Sequence, residues 1–425
     1  LKGGLTTVPG FLAKRFDTTT KTLTSVLFLS GYVIVLLPVI LYSGSLAISG
    51  MFNIPELLGV SHTQSIWICV WGIGIIGSIY AVFGGLKAVV VSDSINAIGL
   101  LIGGLLIPIF GLLAVGDGSI MEGVSVLTAE HPEKFKSMGS STDPVPFYTI
   151  FTGMMLVQLF YWGTNQQIIQ RALGAKNLKE GQKGLLLGSF IKILGPLIVV
   201  LPGIIAYHIF NGNLETSDQA YPMMMSLLPN GILGLTFAAL VAAIVSSLAS
   251  MTNSVSTIFT MDIYRSYVKT KPSEQKLVNV GRNMAWISLV IAVLCAQPLL
   301  GSMESAFQYI QNFTGFFTPG ILVIFLVALF WKKATTLSVL VAAIMSLILS
   351  LFIFLVFPEY PFIHRMGVVF LISGFACYLT SLLQGYDDQE KAIDISGINF
   401  KTESSFNISA VIICIILTIT YLLLW

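Results

Sequence analysis

Apolar segments of membrane-spanning length recur along the whole chain and constrain its fold more than any other feature. An α-helix needs about 20 predominantly apolar residues to cross the hydrocarbon core of a bilayer. Only 10% of the residues are charged, whereas soluble domains carry roughly 25%. About eleven candidate spans lie at 23–50, 64–83, 92–115, 148–168, 185–209, 228–259, 280–300, 306–331, 337–357, 366–384 and 406–425. The sequence therefore predicts an all-α polytopic membrane protein.

The placement of basic residues predicts the orientation of these spans. Of the 22 Lys and Arg residues, eighteen fall in one alternating set of loops, three in the other set, and one, Lys192, within a span. Cytoplasmic loops carry the excess of Lys and Arg. Residues 1–21 are therefore predicted to be cytoplasmic and Trp425 to lie at the outer face of a plasma (inner) membrane.

The loops between the spans are mostly short, so we expect residues 1–425 to form a single transmembrane domain. The longest predicted extracellular loop, 116–147, is expected to carry a short helix, and 385–405 is expected to be a charged cytoplasmic loop. Because the chain opens on Leu within a polar stretch, we expect it to be a fragment of a longer protein.

Two of the predicted spans contain residues that interrupt a helix. Gly163 lies among polar residues within 148–170, and Pro319 follows a Thr-Gly-Phe-Phe-Thr run within 306–331. Proline removes a backbone donor and kinks a helix. Broken helices at membrane depth are tolerated where they line a water-filled cavity, and transporters build their sites from them. A plain kink that serves packing remains open for Pro319.

A stripe of small and hydroxyl-bearing residues runs along the apolar segment Phe237–Tyr264. Ala243, Ser246, Ser247 and Ser250 are spaced at i, i+3, i+4 and i+7, so a helix places them on one face. Hydroxyl and carbonyl oxygens are ligands that suit a hard cation. Small residues also permit close packing of helices. A cation site and a packing face are both compatible with this stripe.

Two charged residues within the predicted spans require an explanation. Lys192 lies about seven residues inside its span, so its head would have to cover about 10 Å to reach the membrane surface. A role in ligand binding and snorkelling both remain open for it. Asp93 could cap a helix start, where a carboxylate is favoured, or could attract sodium from the cytoplasmic side.

Uncharged polar and aromatic residues cluster in or beside the interrupted spans. Gln158, Asn165 and Gln311 supply amide donors and acceptors, which suit the hydroxyl groups of a neutral polyol. The Tyr161-Trp162 pair could anchor the chain at the membrane interface or stack on a sugar ring. Its position next to the interruption favours the stacking role.

Several classes of function find no support in the sequence. The chain has no P-loop or other glycine-rich nucleotide motif, so ATP-driven transport is not indicated. We also expect no nucleic-acid partner. No catalytic constellation stands out, and we predict that the protein is not an enzyme. The four histidines are predicted to lie in or next to outer loops without forming a metal cluster: His62, His131, His208 and His364. The four cysteines suggest no disulfide framework: Cys69, Cys295, Cys377 and Cys414.

Long strings of the sequence resemble the solute:sodium symporter family, and within it the sodium/sugar (glucose/galactose) branch and the bacterial sodium/galactose type. The matching strings are FGGLKAVVVSD (83–93), YWGTNQQIIQRALGAKN (161–177), AAIVSSLASMTNSVSTIFTMDIY (242–264), KLVNVGR (276–282), AFQYIQNFTGFFTPGIL (306–322) and LFWKK (329–333). The resemblance implies a LeuT-type inverted-repeat fold, of which about the first three helices are missing. It also implies alternating access and sodium as the co-transported ion.

By the same resemblance, the stripe matches sodium-binding positions of the family. Ala243 and Ser246 match ligands that act through their carbonyls, and Ser247 matches a ligand that acts through its hydroxyl. Asp93 matches a carboxylate on the route by which sodium leaves.

Further positions match the family's sugar pocket and gates. Gln158, Tyr161, Lys192 and Gln311 match sugar-binding residues, with Tyr161 also the inner gate, and Phe307 matches an outer-gate aromatic. We therefore expect sodium-coupled symport of a hexose.

The chain departs from its relatives in the family at three positions. Gln158 and Leu36 stand where the galactose transporters carry asparagine, and Ala249 stands where some relatives with a second sodium site carry serine. The alternatives are symport of myo-inositol, sialic acid or another small solute, and a non-transporting sensor or sodium leak channel on the same scaffold.

Overall fold

A computed structural model describes residues 7–424 except 142, 144, 215–216, 269–270, 302–305, 396 and 398–400. At positions 81, 83–92, 173, 307 and 308 it describes the backbone alone. All regular structure in these residues is helical, as the sequence predicts. The α-helices are Val8–Arg15, Thr18–Ser30, Leu37–Phe52, Ile54–Leu58, His62–Val115, Ile120–Glu130, Gly153–Gly163, Gln166–Leu173, Leu178–Ile193, Leu201–Ile209, Ala220–Met225, Asn230–Ile258, Arg265–Tyr267, Glu274–Leu300, Ala306–Thr314, Thr318–Phe330, Thr336–Val356, Phe362–Leu383 and Ser404–Leu423.

Short helices of other types connect some of these elements. Three π-helical turns occur in the described residues, at Gly31–Leu36, Pro196–Val200 and Phe259–Tyr264. The first of them joins its neighbours into one continuous apolar helix, Thr18–Phe52. The 3₁₀ helices are Pro132–Phe135, Phe147–Phe151 and Ser217–Gln219.

Nine helical segments within the described residues are long and apolar enough to cross a membrane, and two of them belong to the single helix His62–Val115. The two predicted spans that do not appear among the nine are 148–168 and 306–331, which are the two that the sequence predicts to be interrupted. The prediction of two broken spans is confirmed by their helix boundaries.

The breaks follow from local chemistry. The helix Gly153–Gly163 ends before Thr164, and the Asn165 side chain then caps the next helix by accepting a hydrogen bond from the Gln167 N–H at 3.0 Å. In the second broken span, Pro319 lies in the first turn of Thr318–Phe330, where its missing N–H leaves no helical bond unmade. Pro319 therefore starts a helix rather than kinking one.

The helix His62–Val115 differs from the sequence expectation. The predicted spans 64–83 and 92–115 were expected to be separated by a loop at Lys87, but the backbone is helical through all 54 residues. At 1.5 Å per residue this is about 81 Å of helix, far more than the hydrocarbon thickness. The connecting residues contain two glycines but no proline, so no residue there forbids helical backbone.

The helix Asn230–Ile258, which we call the serine helix, packs closely on several other elements. Its Thr236 leaves no room for a side chain at Gly103, because an added Cβ there would lie 3.0 Å from Thr236 Cγ2. Likewise a Cβ at Gly77 would come within 2.8 Å of Leu248. Small residues thus allow the helices to approach, as expected where lipid gives no hydrophobic drive for association.

Contacts between loops agree with the predicted alternation of sides. On the predicted cytoplasmic side, Lys391 donates a hydrogen bond to the Phe16 carbonyl at 3.1 Å. On the predicted outer side, the Ser137 N–H donates to the Leu424 carbonyl at 2.7 Å. The outer loop also contains the expected short helix, Ile120–Glu130.

Arg15 closes the predicted cytoplasmic end of the helix Thr318–Phe330. The guanidinium is buried and donates from Nη2 to the carbonyls of Trp331, Lys332 and Ala334 at 3.2, 3.1 and 3.1 Å. Burial lowers the pKa of this guanidinium from its usual value. The contact supplies a cation to the negative end of a helix.

Replacing Arg15 with Ala is expected to destabilise the protein by about 3 kcal/mol, because hydrogen bonds to charged groups contribute roughly 1.5–3 kcal/mol. The measurement is the apparent melting temperature in detergent. Arg15→Lys should lie between wild type and Arg15→Ala, since an ammonium retains the charge but lacks the planar fork. An Arg15→Ala protein that melts with wild type would contradict this role.

Candidate functional site

The break between Gly153–Gly163 and Gln166–Leu173 is fixed by long-range polar contacts. The buried Tyr32 hydroxyl donates to Asn165 Oδ1 at 2.9 Å. The Gln166 side chain accepts a hydrogen bond from the Val8 N–H at 2.7 Å through Oε1. These contacts tie the broken segment to the helices near the start of the described chain.

Arg171, in the second half of the broken segment, connects three helices. It donates to Asp93 Oδ2 at 2.7 Å and to the Ser250 hydroxyl at 2.6 Å through Nη2. Its Nη1 donates to the Gln167 carbonyl of its own helix at 2.8 Å. The side chains of Arg171 and Asp93 are 31% and 27% exposed, so the ion pair is partly screened by solvent.

The structure changes the interpretation of Asp93. It lies within the continuous helix His62–Val115, so the alternative that it caps a helix start is wrong. It is held by Arg171, which is one of the eighteen basic residues in the predicted cytoplasmic loops. The signal for Arg171 was its position at the same predicted edge of the membrane as Asp93, with opposite charge.

The serine stripe divides into two parts. Ser250 is engaged by Arg171, and Ser254, one turn further on, accepts a hydrogen bond from Gln170 Nε2 at 3.0 Å. Ser246 is buried, and its hydroxyl has no hydrogen-bond partner within the part of the chain that the structure describes. Ala243 and Ser247 are half-buried.

An unpartnered buried hydroxyl is costly, by roughly 1–3 kcal/mol. The Ser246 hydroxyl is therefore an oxygen that fits an additional ligand, and a hard cation takes oxygen ligands of this kind. The resemblance implies that sodium binds the carbonyls of Ala243 and Ser246 and the hydroxyl of Ser247, whereas the structure adds the Ser246 hydroxyl as a candidate ligand. All of these oxygens belong to residues within positions 243–247 of the serine helix.

Three of the four residues matched to the sugar pocket lie together. Lys192 Nζ donates to Gln158 Oε1 at 3.4 Å. The same ammonium lies 5.2 Å from the centre of the Trp162 ring and 5.9 Å from that of Tyr161, which is within the range of cation–π attraction. The Lys192 side chain is exposed and the aromatic rings meet edge to face. The cluster offers donors, an acceptor and aromatic surfaces.

The remaining predicted residues are not joined to this cluster by a described contact. Gln311 is half-buried on the other broken span, in Ala306–Thr314. The side chain of Phe307, the predicted outer gate, lies outside the described residues. The roles of both stay predictions.

The sequence predicted no metal cluster among the four histidines, but two of them lie together: His131 Nε2 is 3.3 Å from His208 Nδ1. Glu130 joins them through its carboxylate, so three metal-ligating groups meet at one point. The residues are 77 positions apart, and no sequence spacing of metal ligands indicates their meeting.

Comparison with known proteins identifies a family. The model of the sodium:solute symporter family matches residues 1–346. The uncharacterised symporter YidK of Escherichia coli is 40% identical over 88% of this chain, and the sodium/glucose cotransporter of Vibrio parahaemolyticus is 38% identical over 100% of it. The sodium/myo-inositol cotransporter 2 of Bos taurus is 30% identical over 83%. These proteins are transporters, not enzymes.

The chain spans 66%, 80% and 55% of the length of these three relatives. Among solved structures, the substrate-bound outward-open state of a sodium-coupled sialic acid symporter superposes with a TM-score of 0.73. The two sequences are 22% identical, and the superposition covers 90% of this chain and 78% of the symporter chain. The resemblance inferred from the sequence strings is confirmed, and so is the LeuT-type fold.

Proposed function

Since the chain belongs to the sodium:solute symporter family, we propose that it couples the entry of sodium to the uptake of a hexose across the plasma (inner) membrane. One observation carries the proposal. The broken segment bears Gln158, Tyr161 and Trp162 beside Lys192 on its first half and contacts the serine helix through Arg171 on its second half. A single element thus touches both the polar cluster and the helix that bears the stripe.

The polar cluster suits a sugar better than an apolar or strongly ionic solute. Amide and ammonium groups hydrogen-bond to hydroxyls, and the rings of Tyr161 and Trp162 offer a surface for a pyranose face. Similarity to a sodium/glucose cotransporter over the whole of this chain supports the same substrate class. A carboxylate-bearing solute is the second candidate, because Lys192 supplies a positive charge.

The proposed coupling uses the sodium gradient and the membrane potential. Moving one sodium ion inward gains about 2.3 kcal/mol for each 100 mV. Each ligand shifts the protein between outward-open and inward-open states only through contacts that differ between those states. In our proposal residues 1–21 are cytoplasmic and the C-terminus is extracellular or periplasmic, following the basic loops.

Uptake into proteoliposomes tests the proposed substrate class. Labelled glucose, galactose, myo-inositol and sialic acid are supplied with an inward gradient of either sodium or choline. We expect uptake of a hexose that requires sodium. Preferred uptake of sialic acid or inositol would replace the hexose with that solute, and a sodium current without any solute flux would identify a leak channel.

Replacing Lys192 with Ala is expected to raise the sugar concentration for half-maximal uptake by about tenfold, because a charged donor to a hydroxyl contributes roughly 1.5–3 kcal/mol. Lys192→Arg should rescue poorly, since the planar guanidinium has a different shape from an ammonium. The measurement is the concentration dependence of sodium-driven uptake.

Lys183→Ala is the matched control for Lys192→Ala. Lys183 lies on the same helix, but its ammonium pairs with Glu180 at 2.8 Å rather than with a residue of the polar cluster. Its removal should leave the sugar dependence unchanged. A Lys192→Ala protein with the same sugar dependence as the Lys183→Ala protein would favour snorkelling over sugar binding.

A further inference from the structure

Two helix ends meet at the base of the loop 116–147. Glu130 is the last residue of the helix Ile120–Glu130, and His131 follows it as the capping residue. His208 lies in the last turn of Leu201–Ile209. Both helices therefore direct their negative ends toward the same place, which favours a cation there.

The distances between the ligating atoms match a tetrahedral metal site. His131 Nε2 is 3.3 Å from His208 Nδ1, and His208 Nδ1 is 3.3 Å from Glu130 Oε2. Zinc binds imidazole nitrogen and carboxylate oxygen at about 2.0–2.2 Å, so neighbouring ligands of a tetrahedral ion lie roughly 3.3–3.5 Å apart. Both separations from His208 Nδ1 therefore equal the edge length that such an ion requires, and the ligand atoms of all three residues lie within 4.8 Å of one another.

A second carboxylate, that of Glu133, lies near the other ring nitrogen of His131. Glu133 Oε1 lies 4.0 Å from His131 Nδ1, on the far side of the ring from Nε2. Histidines that bind metal commonly present their other nitrogen to a carboxylate, which fixes the tautomer. The ring of His131 also packs edge-on against Tyr207, with centroids 5.3 Å apart. Both neighbours limit the orientations of this imidazole.

We propose that Glu130, His131 and His208 bind a divalent transition-metal ion of the zinc type. Histidine nitrogen favours zinc and its neighbours over calcium or magnesium, which prefer oxygen alone. Three protein ligands leave the fourth tetrahedral position to water. The site is separate from the serine stripe and from the cluster around Lys192.

The bound ion would fasten the loop to a membrane-spanning helix. Ile120–Glu130 belongs to the loop 116–147, whereas Leu201–Ile209 ends the span Leu178–Ile209. Below the site, Leu127 and Ile205 are buried in a shared apolar cluster, so the two ends are already packed. Metal binding adds a direct link between these elements and stabilises their packed arrangement.

Metal binding by purified, tag-free protein in detergent tests the proposal. We expect one equivalent of Zn²⁺ to bind and to displace Co²⁺. Bound Co²⁺ should show the intense visible absorption of a tetrahedral nitrogen- and oxygen-ligated ion, without a thiolate charge-transfer band. His131→Ala and His208→Ala should each weaken Zn²⁺ binding by at least about tenfold, the lower end of the loss seen when only a supporting residue is removed. Glu130→Gln should weaken it as well.

His62→Ala is the control, because His62 is an exposed histidine at the start of another helix. It should bind Zn²⁺ as wild type does. The melting temperature gives a second readout: Zn²⁺ should raise it for wild type and His62→Ala and not for His131→Ala/His208→Ala. Wild-type protein that gives no tetrahedral Co²⁺ spectrum, or a double variant that retains Zn²⁺ binding, would show that the two histidines share only a hydrogen bond.

Discussion

Replacing Ser246 or Ser247 with Ala is expected to raise the sodium concentration for half-maximal sugar uptake by at least about tenfold, equivalent to about 1.4 kcal/mol of binding. Each substitution removes a hydroxyl from the proposed sodium site. The Ser246 hydroxyl is buried and lacks a described partner, so sodium would be the group that satisfies it. The measurement is sodium-dependent uptake at saturating sugar.

Two controls on the same helix separate ion binding from packing. Thr252 also has a buried hydroxyl without a described partner, but it lies six residues beyond Ser246, about 240° around the helix. Thr252→Val should not change sodium dependence. Ser254→Ala removes a hydroxyl that bonds to Gln170 and should lower stability without weakening sodium binding. If Ser246→Ala raised the melting temperature and left the sodium dependence unchanged, the Ser246 hydroxyl would be a buried polar group that destabilises the packing and binds no ion.

Replacing Arg171 with Ala is expected to reduce sodium-driven uptake at least about tenfold. The substitution leaves the Asp93 carboxylate and the Ser250 hydroxyl without their shared donor and removes one contact of the broken segment with each of two helices. Breaking a fully buried ion pair costs about 3–5 kcal/mol, and the partial exposure of this pair reduces the cost to about 2 kcal/mol. The measurements are initial uptake rate and melting temperature.

Exchange of the two charges is the matched test of this contact. In Asp93→Arg/Arg171→Asp the ion pair can re-form, and the Ser250 hydroxyl can donate to the new carboxylate as readily as it accepts now. The double variant should recover part of the lost activity and stability. If the two substitutions were simply additive, the pair would have no energetic coupling and the proposed role of Arg171 would be wrong.

Features that depend on local sequence were predictable. Length and hydropathy are enough to locate the spans, because a bilayer admits few structures. The two interruptions were visible because Gly163 and Pro319 act on the backbone within a few residues. The stripe from Ala243 to Ser250 was visible because helical periodicity alone places its members on one face.

Features that depend on tertiary packing were not predictable from one sequence. Asp93 and Arg171 are 78 residues apart, and they form an ion pair only because their helices pack against each other at the same predicted edge of the membrane. The meeting of His131 and His208 has the same origin, and so it could not be anticipated from their separate positions in the sequence. The helical connection at Lys87 was missed because glycine and lysine are tolerated in both loops and helices.

Reversal of the sodium gradient in sealed proteoliposomes tests the central claim most directly. The hexose concentration is the same inside and outside the vesicles at the start, and a sodium gradient is the only gradient imposed. Our account predicts net hexose movement with sodium, inward or outward as the gradient is reversed, and weaker movement for Ser246→Ala at the same limiting sodium concentration. Hexose that stays at equilibrium under both gradients, while sodium flows, would contradict coupled transport by this protein.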